Sequence, residues 1–226
     1  MSFAGILMEA TNDFQIEKCE ERDSDEIREI SKVNNYFNPD YNNKKETGFT
    51  GTVYSNETVK KILEKGFSFK LTFNGKILGY LLGIDENSYT EVYGETPGEL
   101  YKSFFGKEGE FQGKIIYGCQ AAVRQEFKGR GIARELFSCA RVEWKNKGFD
   151  TFYGEIASHN IDSIRFWTHL GLQKIAEKKW PTGIYFKGCD EKWIKENYEK
   201  LQARKDKRID ERLLSQLKIF LYKFEI

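Results

Sequence analysis

The run Lys128-Gly129-Arg130-Gly131-Ile132-Ala133 follows directly on the apolar stretch Lys114 to Val123 and precedes apolar residues at helical spacing. A glycine-rich turn between a buried strand and a helix leaves backbone N–H groups free at the positive end of the helix dipole, where a phosphate is well held. Gly129 and Gly131 allow close approach, and Lys128 and Arg130 add positive charge, so a pyrophosphate suits this turn better than a lone carboxylate. The plain alternative is that any tight strand-to-helix turn favours glycine. The run is not a P-loop, because no Gly-Lys-Ser/Thr follows at the required spacing, and not the dinucleotide fingerprint, because Arg134 stands where the third glycine belongs. Other chemistry finds less support. His159 and His169 are ten residues apart, unsuited to a shared metal site on a helix face, and each is expected at the surface or as a cap. Cys19, Cys119, Cys139 and Cys189 lie at least twenty residues apart, which indicates neither a zinc site nor a disulfide framework; Cys119 and Cys139 are expected as inert packing. No metal is expected, and no nucleophile elbow supports a Ser-His-Asp assembly.

The elements that must position this loop are legible from periodicity. Lys114–Val123 is apolar without alternation, as a strand buried on both faces would be, and Ile132, Leu136, Phe137, Ala140 and Trp144 mark the helix after the loop, with Gly148 as its stop. A second unit repeats the order: a strand over Thr151 to Ala157, Asn160 as a cap, a helix bearing Ile164, Phe166, Trp167 and Leu170, and Gly171 at its end. Upstream, Phe14 to Cys19 alternates as a strand, and Asp23 with Glu26 resembles a capping box over Ile27 and Ile30. Val33 to Asn56 is expected as a long loop, whose Tyr36, Phe37, Tyr41, Phe49 and Tyr54 either line an acceptor groove or anchor the loop. Asn56 is placed as the cap of a short helix, Asn74-Gly75 as a hairpin turn between strands Phe67–Phe73 and Lys76–Ile84, and Asp85 to Gly113 stays unassigned apart from a short helix near Leu100 to Phe105. Ile184-Tyr185-Phe186 suggests one more short strand. The charged tail from Asp190 spaces apolar residues at 194, 198 and 201, then at 213, 217 and 220, which predicts two amphipathic helices.

Val123 to Ala133 resembles the acetyl-CoA pyrophosphate loop of the GNAT superfamily of N-acetyltransferases, with its R/Q-x-x-G-x-G/A pattern after a V-x-P strand end; Lys128 replaces the usual Arg or Gln, and Gln125 the Pro. Glu155-Ile156-Ala157-Ser158-His159-Asn160, then Ser163, Phe166-Trp167 and Leu170-Gly171-Leu172, is similar to the second half of that signature. The resemblance covers roughly residues 12–188 as an acetyltransferase domain and leaves 189–226 as a C-terminal helical extension. It implies an α/β (α+β) fold with a mixed central sheet, flanked by helices, that splays open between the strand at Lys114–Val123 and the strand at Thr151–Ala157. Acetyl-CoA would wedge into that gap. Its pantetheine would meet backbone groups near Ala121 and Val123 and the side chain of Asn160, with Ser163 alongside, while residues 128–133 hold the pyrophosphate.

The implied reaction is acetyl transfer to a primary amine by direct attack. At neutral pH about one lysine amine in 2,500 and roughly one α-amine in ten are uncharged, so a positioned base is valuable. Glu155 occupies the position of the general base in ribosomal-protein alanine acetyltransferases, twelve residues before their acid tyrosine; its alternative is an exposed strand residue balancing a neighbouring lysine. At the tyrosine position this chain has Trp167, whose indole can donate a hydrogen bond but cannot deliver a proton. The expectation is that Trp167 packs beside the thioester sulfur while water or Tyr117, Tyr153 or Tyr185 supplies the proton. The alternative function is a non-catalytic acyl-CoA-binding module on the same fold.

Bulk properties are consistent with this. The 226 residues carry 36 Lys plus Arg against 35 Asp plus Glu, a formal charge of +1, so no global field draws in nucleic acid or an acidic membrane. No run approaches a membrane helix, and the apolar N-terminus lacks the basic flank of a signal peptide, so a cytoplasmic protein is expected. The expected acceptor is a small-molecule amine or the amine of a protein or peptide, and the tail helices could pack on the sheet, complete the acceptor site or form a dimer seam.

Overall fold

The structure, a computed structural model, describes residues 14–41, 48–180, 188–210 and 214–226. Its frame is one seven-stranded sheet in the order β1-β2-β3-β4-β5-β7-β6, made of β1 (Phe14–Lys18), β2 (Phe69–Phe73), β3 (Lys76–Asp85), β4 (Ile115–Val123), β5 (Thr151–Ala157), β6 (Gln173–Lys179) and β7 (Lys218–Glu225). Only β4 and β5 run parallel to each other; the other neighbours are antiparallel. One face is covered by α1 (Ser24–Val33), α2 (Asn56–Glu64), α3 (Glu86–Tyr93) and α4 (Pro97–Phe105), whose buried Ile27, Ile62, Val92 and Leu100 share a core with Leu82, Ile84 and Ile115. The other carries α5 (Ile132–Asn146) and α6 (Ile161–His169), with Leu136, Phe137 and Trp144 packed on Leu71, Ile116 and Phe152. The mixed, helix-flanked sheet agrees with the expected fold class.

Local chemistry explains most boundaries. Asn74 and Gly75 adopt φ 49° and 73°, the left-handed pair that a two-residue hairpin turn requires. Ser55, one residue before the expected cap, accepts the Thr58 N–H at 3.1 Å and starts α2. The expected box of Asp23 with Glu26 does not form. Asp23 is buried, holds the Lys70 ammonium at 2.8 Å through both oxygens, and accepts from the Glu20 N–H at 2.7 Å. Glu26 turns to the strand side, where its Oε1 accepts from the Ile77 N–H at 3.0 Å and from Arg124 at 2.6 Å. In the unassigned stretch, Asp85 caps α3, and Thr96 with Glu99 forms a true capping box ahead of Pro97 at the start of α4.

The tail departs from expectation in its second half. The first predicted helix is present as α7 (Glu191–Ala203), which buries Ile194, Asn197 and Leu201 within the chain itself. Where the second helix was expected, β7 forms instead. It lies between β5 and β6 and pairs the whole of β5, from Thr151 against Glu225 to Ala157 against Ile219. Ile219 and Leu221 enter the core of the first face and Phe220, Tyr222 and Phe224 that of the second, so this strand is apolar on both sides and a two-residue period is hidden. The expected boundary at residue 188 therefore falls between two strands of a single sheet. The expected strand at 184–186, with Tyr185, lies outside the described residues. Among the described residues, no helix is long and apolar enough to cross a membrane.

Candidate active site

The sheet opens where β4 and β5 part. They pair from Ile115–Thr151 to Gly118–Gly154 and no further. The cause is on the far side of β4: Leu82 pairs with Gln120 and Gly83 with Gly118, so Cys119 is an extra residue, and this bulge bends the second half of β4 away from β5. Gly118 is required at the parting point, because a Cβ there would enter the ring of Phe152. Beyond it, Ala121 and Val123 pair only with β3; Ala121 lines the gap, whereas the Val123 carbonyl accepts from Asn34 Nδ2 at 3.3 Å.

The strand delivers the chain into the glycine loop. Gly129 and Gly131 sit at φ 76° and 85°, a left-handed region that favours glycine, with open space in front of both. Among the described residues, the N–H groups of 129–133 have no hydrogen-bond partner; they converge at the first turn of the 15-residue α5. Such a nest fits a pyrophosphate by chemistry and by dipole. Arg124 clamps the loop's entry to β3, with Nε donating to the Ile77 carbonyl at 2.6 Å and Nη2 on Glu26. Arg130 is exposed, its guanidinium 5.2 Å from the Phe127 ring centre. Lys128 points the other way. Its ammonium donates to the Gly48 carbonyl at 2.7 Å, and burial lowers its pKa to about 8 despite nearby Asp162.

Below the loop, the gap widens into a cavity of about 460 Å³, in the range of small-molecule sites, and Ala121, Glu155, Asn160, Ser163 and Trp167 all line it. Asn160 caps α6 by accepting the Ser163 N–H at 3.4 Å and donates from Nδ2 to the Phe49 carbonyl at 2.8 Å. Trp167 packs edge-on to Phe137, ring centres 5.1 Å apart, and stacks on Phe152 at 6.1 Å. Glu155 projects from β5 into the cavity with the Lys178 ammonium 3.4 Å from its Oε2. Its side chain keeps 35% of its surface open, so Glu155 is an exposed strand residue beside a lysine, as the plain alternative has it; crowding by the cavity wall still pushes its pKa up, Lys178 pulls it back, and Glu95 adds a smaller upward push.

Residues 30–172 match the family model described as "Acetyltransferase (GNAT) family", more than half of the chain. The chain belongs to that family. No curated protein matches it in sequence. Among solved structures it is similar to the ribosomal-protein-S18-alanine N-acetyltransferase from Escherichia coli (13% identity over 94% of each chain, TM-score 0.54). It is also similar to yncA, a putative acetyltransferase from Salmonella typhimurium solved with its cofactor acetyl-CoA (15% identity, 95% of this chain and 94% of that one, TM-score 0.54). A third likeness is Arabidopsis thaliana Naa50 in complex with the bisubstrate analogue CoA-Ac-MVNAL (10% identity, 95% and 100%, TM-score 0.56). At these identities the likeness is one of fold. Membership in the GNAT family brings acetyl-CoA as the cofactor, and the free amides of residues 129–133 are what its pyrophosphate requires.

Several residues of this GNAT site escape a sequence reading. Lys178 lies on β6, a charged edge strand with no apolar period, and is held by Ser103 Oγ at 3.3 Å and the Phe104 ring at 4.1 Å. Tyr89, Tyr93, Glu95 and Leu100 come from the helical connection between β3 and β4 and close one side of the cavity. Of the loop aromatics, Phe37 and Tyr41 are buried anchors, whereas Phe49 and Tyr54 face the cavity; the Tyr54 hydroxyl donates to the Cys119 carbonyl at 3.1 Å. Cys119 also lines the cavity, but burial pushes its thiol pKa up to about 12, which leaves it inert. Among the described residues, no cluster of three or more His, Cys, Asp or Glu side chains could hold a metal.

His159 is neither a surface residue nor a cap. Tyr36, Phe49 and Trp180 surround its ring at centre distances of 4.6, 4.8 and 5.5 Å, and neither ring nitrogen has a partner among the described residues. Burial lowers its pKa to about 4, from an ordinary value of 6.5. The unfolded chain therefore binds the extra proton between those values, and stability conferred by neutral His159 is complete above pH 6.5 and lost as pH falls towards 4. Urea unfolding of the wild type should lose up to about 3 kcal/mol across this window, and His159→Phe should remove most of that slope.

Proposed function

We propose that the protein is an N-acetyltransferase that acetylates a primary amine by direct attack, with Glu155 as the base. The observation that carries this reading is the placement of Glu155, whose raised pKa and cavity-facing carboxyl stand at the point where β4 and β5 part. Acetyl-CoA, when bound, supplies a thioester carbonyl for attack and a thiolate that leaves. The chain's own residues do the rest. Amides 129–133 anchor the phosphates, the β4 edge near Ala121 and Val123 aligns the arm, and Asn160 and Ser163 flank it. Glu155, directly or through one water, takes the proton that the amine loses as its C–N bond forms and the C–S bond breaks. Lys178 moderates the Glu155 charge. Trp167 walls the sulfur side, so the departing thiolate draws its proton from water or from a cavity tyrosine; Tyr117 and Tyr153 both line the wall, and burial keeps both hydroxyls protonated.

The test is release of free thiol from acetyl-CoA in the presence of a panel of amines and peptides. Acceptor-dependent release is the expected result. Tight acetyl-CoA binding without release by any acceptor would instead favour a non-catalytic acyl-CoA-binding module, in which Trp167 marks a lost acid.

A further inference from the structure

The side chains proposed to meet the cofactor arm already hold a piece of this chain. Gly48 and Phe49 bridge from the loop after β4 to the start of α6: the Gly48 carbonyl accepts from the Lys128 ammonium at 2.7 Å, and the Phe49 carbonyl from Asn160 Nδ2 at 2.8 Å. Gly48 lies so close on α6 that a Cβ built there would stand 2.9 Å from Ser163 Oγ and 3.5 Å from Asn160 Oδ1. The Phe49 ring is seated on Tyr36 and His159, with ring centres 4.9 and 4.8 Å away. The root of the segment is held elsewhere. Thr50 is buried; its N–H donates to the Asn34 carbonyl at 2.9 Å, its carbonyl accepts from Asn35 Nδ2 at 3.1 Å, and its hydroxyl donates to the Ser31 carbonyl at 3.1 Å. The Thr52 carbonyl accepts from Gln120 Nε2 on β4 at 2.8 Å. A root fixed on α1 and β4 thus carries a two-residue tip laid across to α6.

Resting on the acetyltransferase reading, we propose that Gly48–Phe49 is an intrasteric strap that holds the place of the acetyl-CoA arm and must leave it before the cofactor binds. The exchange is like for like. Peptide carbonyls occupy the donors on Lys128 and Asn160, and the amide carbonyls of the arm offer the same kind of acceptor, so both donors keep a partner in either state. Lys128 gains by the exchange. Its half-buried ammonium now faces a neutral carbonyl, and a phosphate held next door on amides 129–133 is a stronger partner for a cation. The strap acts on affinity, because only the open fraction of the protein can take the cofactor and the apparent dissociation constant rises as that fraction falls. Thr50 and Thr52 stay in place throughout, which confines the movement to the tip.

The test is calorimetric titration with acetyl-CoA of the wild type, Gly48→Val and the double variant Gly48→Cys with Ser163→Cys, each checked for folding by thermal unfolding. The branched side chain of Gly48→Val has no room against Ser163, so the tip is unseated while Lys128, Asn160 and Ser163 keep their identities. Its affinity for acetyl-CoA should rise about tenfold, the net worth of two hydrogen bonds that no longer have to be given up. In the double variant, the 2.9 Å from the Cβ position of Gly48 to Ser163 Oγ is close to the roughly 3 Å between a Cβ and the distant sulfur of a disulfide, so oxidation should lock the tip on α6. The oxidised form, verified by the loss of a pair of titratable thiols, should bind acetyl-CoA about 100-fold more weakly than the same protein reduced. Equal affinity of the oxidised and reduced forms, or a folded Gly48→Val that binds no tighter than wild type, would overturn the strap and leave the cofactor site standing. Should the disulfide not close, Gly48→Val decides alone. Failure of both the wild type and the reduced double variant to bind acetyl-CoA would end the cofactor reading itself, and the strap with it.

Discussion

Glu155→Gln should lower kcat with the best acceptor by about 10²- to 10³-fold, the usual contribution of a positioned base, with little change in acetyl-CoA affinity. Glutamine keeps the shape of the side chain and its contact with Lys178 but cannot accept a proton. The pH profile distinguishes this from simple damage. Crowding by the cavity wall and Glu95 raise the Glu155 pKa, so the wild-type rate should climb with pH through a value above the usual carboxylate range, as the base ionises. That acid limb should vanish in Glu155→Gln, leaving only the limb set by deprotonation of the acceptor amine. Steady-state rates of thiol release across pH 5 to 9, roughly the span that brackets both ionisations, would settle it. An unchanged profile in the variant would assign Glu155 to the bland role of an ion-pair partner for Lys178.

Gly131→Glu should abolish acetyl-CoA binding in a calorimetric titration, a loss of about 100-fold or more, while the fold survives. Open space lies in front of Gly131, so a Cβ there meets no protein atom, and the cost to folding is chiefly the left-handed φ of 85°, about 1–2 kcal/mol for a non-glycine residue. Binding suffers more. A carboxylate placed among amides 129–133 competes for the donors meant for the pyrophosphate and repels it, and losing two charge-assisted hydrogen bonds alone accounts for about that factor. Gly131→Ala should fall between, since it pays the backbone strain without the charge. If Gly131→Glu binds like the wild type, the loop is a tight turn and nothing more.

These two tests probe regions that the sequence exposes to very different degrees. The loop is legible because its function resides in the backbone: glycines at fixed offsets, an apolar strand before and a helical period after are all local signals. Glu155 and Asn160 can be singled out as candidates because they sit in one contiguous segment, and the structure places Asn160 as a helix cap. The other half of the cavity is not local. Lys178 reaches Glu155 only because β7, arriving from the end of the chain, inserts between β5 and β6 and sets the place of the edge strand. Tyr89, Tyr93 and Glu95 reach the same cavity because α3 and α4 fold back over the sheet from a connection whose caps, Asp85 and Thr96, were readable but whose destination was not.

His159 and Lys128 make the same point from the side of charge. Each is an ordinary polar residue in the sequence, and each owes its lowered pKa to burial that only the fold creates: His159 lies among Tyr36, Phe49 and Trp180, and Lys128 is enclosed so far that even the Gly48 carbonyl it donates to does not restore its ordinary value. Sequence by itself determined the class of fold and singled out the glycine loop proposed for the phosphates and Glu155 as the proposed base, since strands, helices and the loop between them show in backbone freedom and in periods of two and 3.6 residues. The register of β7, the bulge at Cys119 that parts β4 from β5, and the tyrosine and carboxylate wall were decided by tertiary structure alone. Strand pairing and desolvation are properties of residues that meet across the fold, and no local pattern encodes which ones will meet.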